Sequence, residues 1–178
     1  MDGGLPLKVA TGRAFGEYLF FLESPAELPN PVHMAYDDRS LVLPPSFNLA
    51  LLVLRVACAL VFLYHGAGIL FGVLGGPGPA GFAAYKHWPV IVGYLVGLAQ
   101  FAGGLAVLFG VLQRLGALCI MIVMLGAIFT VHIQHGFSVA NGGYEFALTE
   151  FLIALALLVA GPGEYSLGRV LHPALHRY

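Results

Sequence analysis

Charged side chains are scarce in this sequence. Lys, Arg, Asp and Glu make up 10% of its 178 residues, where a soluble domain carries about 25%. From Val56 to Ala160 the charged residues are Lys86, Arg114, Glu145 and Glu150 alone. A chain so poor in charge cannot cover itself with polar surface, which excludes an ordinary water-soluble fold. The net charge is -1 and no basic stripe is present, so nucleic acid is excluded as a partner. Cys58 and Cys119 are the two cysteines. Both lie in apolar stretches without C-x-x-C spacing and read as packing residues, not a redox pair. A nucleotide fingerprint and a Cys-rich cluster are also lacking, so the chain cannot supply a whole electron-transfer path. Near the N-terminus the one apolar run, Tyr18 to Leu22, is short and follows Glu17, and no cleaved signal is expected.

Hydrophobic residues make up 59% of the chain, with a mean hydropathy of +0.87. Gly- and Pro-rich breaks divide them into four stretches, which predicts an all-α integral membrane four-helix bundle. The first span is expected over about 47–74, between Pro44-Pro45-Ser46 and Gly75-Gly76-Pro77. The second runs over about 89–112 with Pro89 in its first turn, the third over about 115–133, and the fourth over about 144–160 before Gly161-Pro162-Gly163. The fourth is short unless its Glu145 turn lies at the membrane interface. Residues 1–46 hold prolines 6, 25, 29, 31, 44 and 45 among charges and read as a largely irregular arm, with a short amphipathic helix at Ala14 to Leu22. Residues 164–178 form a short tail.

Arg39, Arg114, Arg169 and Arg177 flank one side of the bundle, with Arg55 close enough to that side to snorkel out, and the opposite loops contribute Lys86. By the positive-inside rule both termini are cytoplasmic, in a bacterial or archaeal plasma membrane. Along the second span Gly93, Gly97, Gln100 and Gly104 recur at i, i+4, i+7 and i+11. Such a stripe permits close helix approach, with Gln100 as an interhelical hydrogen-bonding residue. A homo-oligomer is among the expected partners, beside the lipid bilayer.

The remaining polar groups gather at the outward end. His65 lies far along the first span. His132 and His135 close the third at i, i+3. Asn141, Tyr144 and Glu145 open the fourth, and Lys86 and His87 lead into the second. Polar groups at this depth cost a few kcal/mol each and therefore ask for a reason. A quinone site needs partners for two carbonyls and a proton acceptor, which His65, His132, His135, Tyr144 and Glu145 offer, with His132 and Glu145 as the proton-transfer pair. A haem takes two axial imidazoles, such as His65 and His132 facing each other. A metal ion suits His132, His135 and Glu145. The alternative is that these groups satisfy one another and interfacial water, holding the helix ends together.

Arg55 followed by His65-Gly66-Ala67-Gly68-Ile69-Leu70-Phe71-Gly72 resembles the first-helix signature of the DoxX-like membrane proteins. Gln100-Phe101-Ala102-Gly103-Gly104-Leu105 and Gly110-Val111-Leu112-Gln113-Arg114 resemble their second helix and its exit. Phe129-Thr130-Val131-His132 through Gly136-Phe137, then Gly142-Gly143-Tyr144-Glu145-Phe146-Ala147-Leu148, resembles their third loop, and Gly161-Pro162-Gly163-Glu164-Tyr165-Ser166-Leu167 their closing motif. The likeness covers about residues 50 to 168. It implies a four-helix membrane protein associated with respiratory, thiosulfate- or quinone-linked oxidoreductases, working beside a partner enzyme. Two positions depart from the family pattern: Ile69 stands where a Lys is expected and Gln100 where many relatives carry Glu, a paired loss that leaves no lone charge in lipid. The competing expectations are a non-enzymatic membrane anchor or assembly factor recruiting a partner through the N-terminal arm, and a small-solute permease. Unbroken helices speak against the permease.

Overall fold

The fold is known from a computed structural model, which describes residues 45–171. The N-terminal arm as far as residue 44, with the helix expected at Ala14 to Leu22, and the tail from residue 172 lie outside the described residues. Within them the fold is all-α, with no strand.

α1, Pro45–Phe71, is 27 residues long, about 40 Å at the helical rise. The break that follows was expected to be a plain loop. Instead, the chain folds back and forms α2, Gly78–Ala84, with proline in its first turn. Proline stops a helix from its interior but starts one from its first turn, where its missing N–H has no partner to lose. α3 spans Val90–Phe109 and ends at Gly110, whose left-handed backbone (φ +65°) lets its amide donate to the Ala106 carbonyl. α4, Gln113–Ala127, follows after a tight turn. It runs on through a π-helical turn, Ile128–His132, and a 3-10 turn, Ile133–His135. A further 3-10 turn, Val139–Asn141, leads to α5, Glu145–Ala160, and α6 is Leu167–Leu171.

α1 packs chiefly on α3, α3 on α4 and α4 on α5, with α5 closing back more lightly on α1. The glycine stripe explains the first of these seams. A Cβ on Gly97 would meet Leu70, one on Gly104 would meet Leu63, and one on Gly66 would meet the Phe101 backbone. One residue number rises as its partner's falls, so α1 and α3 are antiparallel with their backbones nearly touching, the use small residues have where lipid supplies no hydrophobic force. Gly93, on the same stripe, lies against Pro79 of α2.

The outer surface is inverted relative to a soluble protein. Leu60, Ile91, Leu95 and Ile122 are 61%, 60%, 59% and 62% exposed, whereas Cys58, Ala59, Val107, Ala117 and Ala154 are fully buried. Large residues outside and small ones inside is the arrangement that lipid favours. Pro45–Phe71, Val90–Phe109 and Gln113–His135 are each long and apolar enough to cross a membrane. α5 has 16 residues, about 24 Å, against about 30 Å of hydrocarbon. The bilayer must thin beside it, or the turn holding Glu145 must lie below the interface. This is an integral membrane protein.

Candidate functional site

Antiparallel packing gives the bundle two ends. One collects the end of α1, the start of α3, the end of α4 and the start of α5, and the candidate site residues His65, His132, His135, Tyr144 and Glu145 fall there. The loop between α4 and α5 is cross-tied. The amides of Gly143, Tyr144 and Glu145 donate to the carbonyls of Ser138 (2.9 Å), Gly136 (3.1 Å) and Phe137 (2.9 Å). The Val139 amide donates to Glu145 Oε2 at 2.9 Å, and the Glu145 carboxylate occupies the first turn of α5, where the helix dipole favours negative charge. His132 Nδ1 lies 2.7 Å from the Gly142 carbonyl. A carbonyl can only accept, so Nδ1 carries the proton, and in the neutral ring Nε2 is left as the proton acceptor. The His135 ring passes beside Gly142, and the Tyr144 ring stands edge-on to Phe137 with centroids 5.5 Å apart.

Thus His132, His135, Tyr144 and Glu145 are brought into one loop structure. His65 is exposed on α1, edge-on to Tyr64 at 5.4 Å, and among the described residues no hydrogen bond or ring contact ties it to that loop. Among the described residues no group of three or more His, Cys, Asp and Glu side chains could hold a metal ion, so the metal alternative has no ligand set. The π-helical turn at Ile128–His132 was not foreseen. It adds residues to the register just before His132, and the Thr130 hydroxyl donates to the Gly126 carbonyl at 2.7 Å within it. Such turns recur at functional sites.

The opposite end holds what the sequence reading missed. Arg55 does not snorkel: it is 1% exposed. Its Nε donates to the Val107 carbonyl (2.8 Å), Nη2 to Leu108 (2.7 Å), and Nη1 to Pro162 (2.9 Å) and Tyr165 (2.6 Å). Val107 and Leu108 end α3, where helix carbonyls lack partners and a cation is favoured. Pro162 and Tyr165 belong to the closing segment after α5. A flexible point charge could reach water, but a fork with five donors finds more by staying inside. Nearby, Asn48 Oδ1 accepts from the Glu164 amide at 3.1 Å, and Gln113 Nε2 donates to the Leu157 carbonyl at 3.1 Å. Gln113 Oε1, Ser166 Oγ and, deeper in the bundle, Glu150 Oε2 are buried without a hydrogen-bond partner among the described residues. An acid in an apolar span was itself a signal in the sequence.

A groove of about 380 Å³ runs along α3 and α4 to the turn that joins them, lined by Leu95, Leu98, Ala102, Gly103, Ala106 and Cys119 among others. Its walls are apolar, and it lies away from the His132–Glu145 loop.

The DoxX family model matches residues 50–133. The chain is 32% identical over 128 residues to "Inner membrane protein YqjF" of Escherichia coli, covering 70% of this chain and 94% of that protein. It is 29% identical over 112 residues to "Putative oxidoreductase CatD" of Bacillus subtilis, covering 63% of this chain and 81% of that protein. No solved structure matches it significantly.

Proposed function

The chain belongs to the DoxX family, and from that premise we propose that it is the membrane subunit of a quinone- or redox-linked oxidoreductase system, handling protons beside a partner enzyme. The observation that carries this reading is the His132–Glu145 loop. It holds an imidazole with its tautomer set and a carboxylate fixed at a helix N-terminus, both in one cross-tied loop. Reduction of a quinone to a quinol consumes two electrons and two protons. The electrons come from the partner, whereas His132 Nε2 and Glu145 are groups able to pass protons. The relative named as an oxidoreductase supports the redox setting, and the one named as an inner membrane protein supports placement in a bacterial inner membrane.

The test uses membranes containing the assembled system. Glu145→Gln is expected to lower quinone-linked turnover by at least about a hundredfold, the lower bound for a lost general acid–base group, with insertion and thermal stability close to those of the unaltered protein. Unchanged turnover in a His132→Gln, Glu145→Gln double variant would overturn the proposal. If deleting residues 1–44 abolishes partner activity while the double variant does not, the chain is an anchor.

The same reading has both termini cytoplasmic and the α4–α5 loop outside. A cysteine placed at Ser138, with Cys119 changed to Ser, should react with a membrane-impermeant maleimide in intact cells. Reaction only after the cells are opened would reverse the topology.

A further inference from the structure

Glu150 lies on the core face of α5 with Ala147, Ala154 and Leu157, and is 6% exposed. Its carboxyl hydrogen-bonds the thiol of Cys58 on α1, itself fully buried. The other oxygen, Oε2, has no partner among the described residues. The surrounding elements offer no cation. Arg55, one turn from Cys58 on α1, is spent on four carbonyls. α3 carries no Asp, Glu, Lys, Arg or His, and the one charged residue of α4, Arg114, is exposed at its first turn beside Gly161.

A carboxylate buried among apolar groups with a thiol as its one donor is expensive, because a thiol is a weak donor and no cation repays the lost hydration. A carboxylic acid carries no charge and brings a donor of its own. The position is thus built for a group that binds a proton, and an ionisable residue inside a span is rare without a use.

We propose that Glu150, backed by Cys58, is an intramembrane proton-binding site. The carboxyl takes up one proton from the medium to become –COOH and gives back the same proton to become –COO⁻, with no change in oxidation state. Cys58 keeps its own proton and serves as the hydrogen-bond partner in both forms. This site is separate from the His132–Glu145 loop and does not depend on the redox reading of that loop.

Infrared difference spectroscopy on the purified full chain, wild type against Glu150→Gln, tests it. The expected result is a carboxylic-acid C=O band that shifts in D₂O and is replaced by carboxylate bands as pH rises, the acid-to-carboxylate ratio falling about tenfold per pH unit. The Cys58 S–H stretch, assigned with Cys58→Ala, should move with it. Because the chain has nine Asp and Glu residues, the Cys58 S–H shift is what ties the acid band to Glu150 if Glu150→Gln fails to fold. Carboxylate bands alone at every pH where the protein is folded would overturn the proposal. So would an acid band that neither exchanges in D₂O nor titrates, or an S–H stretch indifferent to pH.

Discussion

Replacing Arg55 with Leu should destabilise the bundle by about 3 kcal/mol or more, the scale set by several buried carbonyls losing their donor together. The reason is what remains behind. The carbonyls of Val107, Leu108, Pro162 and Tyr165 all accept from this one guanidinium. Leucine supplies no donor, and each buried carbonyl left without a partner costs about 1–3 kcal/mol before relaxation. Arg55→Lys should fall nearer to the Leu variant than to wild type. Its three donors sit on one nitrogen and cannot reach carbonyls from two helix ends with the spread of a planar fork. Thermal unfolding in mild detergent measures both. A Leu variant as stable as wild type would show that the four bonds contribute nothing net. The closing segment should also open first in the Lys variant, read as faster hydrogen exchange of amides after Gly161, since Pro162 and Tyr165 are held to α1 through Arg55.

The contrast between Arg55 and the helices around it shows what can be read from sequence. The helix end at Gly161 was legible because glycine there marks a change of backbone direction; the end of α3 was placed at about residue 112, whereas Gly110 already turns the chain. The glycine stripe on α3 was legible because spacing alone puts those residues on one face. α2 was not, because the same Gly-Pro-Gly-Pro string that ends α1 also suits the first turn of a new helix. The π-helical turn before His132 leaves no mark in hydrophobic periodicity, since it adds residues without changing their character.

The candidate site divides the same way. His132, His135, Tyr144 and Glu145 could be gathered on paper because chain order and span length put them at one end. The Gly142 carbonyl that sets the His132 tautomer is a backbone atom, and no sequence motif advertises it. Arg55 was misplaced for a related reason. An arginine near a span end snorkels by default, and only the folded chain shows four carbonyls waiting inside. Glu150 was visible as an acid in an apolar span, but its one partner, Cys58, had been read as packing. The thiol does pack; it also hydrogen-bonds the acid.

Gly66→Ala should be among the most damaging single-methyl additions in the chain, while Gly126→Ala should be harmless or stabilising. Both glycines are helical, so alanine raises helix propensity at each by about 1 kcal/mol. The difference lies in what the new methyl meets. At Gly66 it would come within 2.5 Å of Phe101 N and 2.8 Å of Phe101 Cα. These are backbone atoms of α3, which cannot swing aside as a side chain would. The α1–α3 seam must part, and with it the neighbouring contacts of Gly97 on Leu70 and Gly104 on Leu63. Overpacking costs about 1–3 kcal/mol where side chains can adjust; with backbone opposing backbone, a net loss at or above the top of that range is expected. At Gly126 nothing lies within 4 Å of the added carbon, so only the propensity gain remains. Unfolding of the two variants in the same detergent separates them. Equal stabilities would mean that α1 and α3 do not approach as closely as the glycine stripe requires.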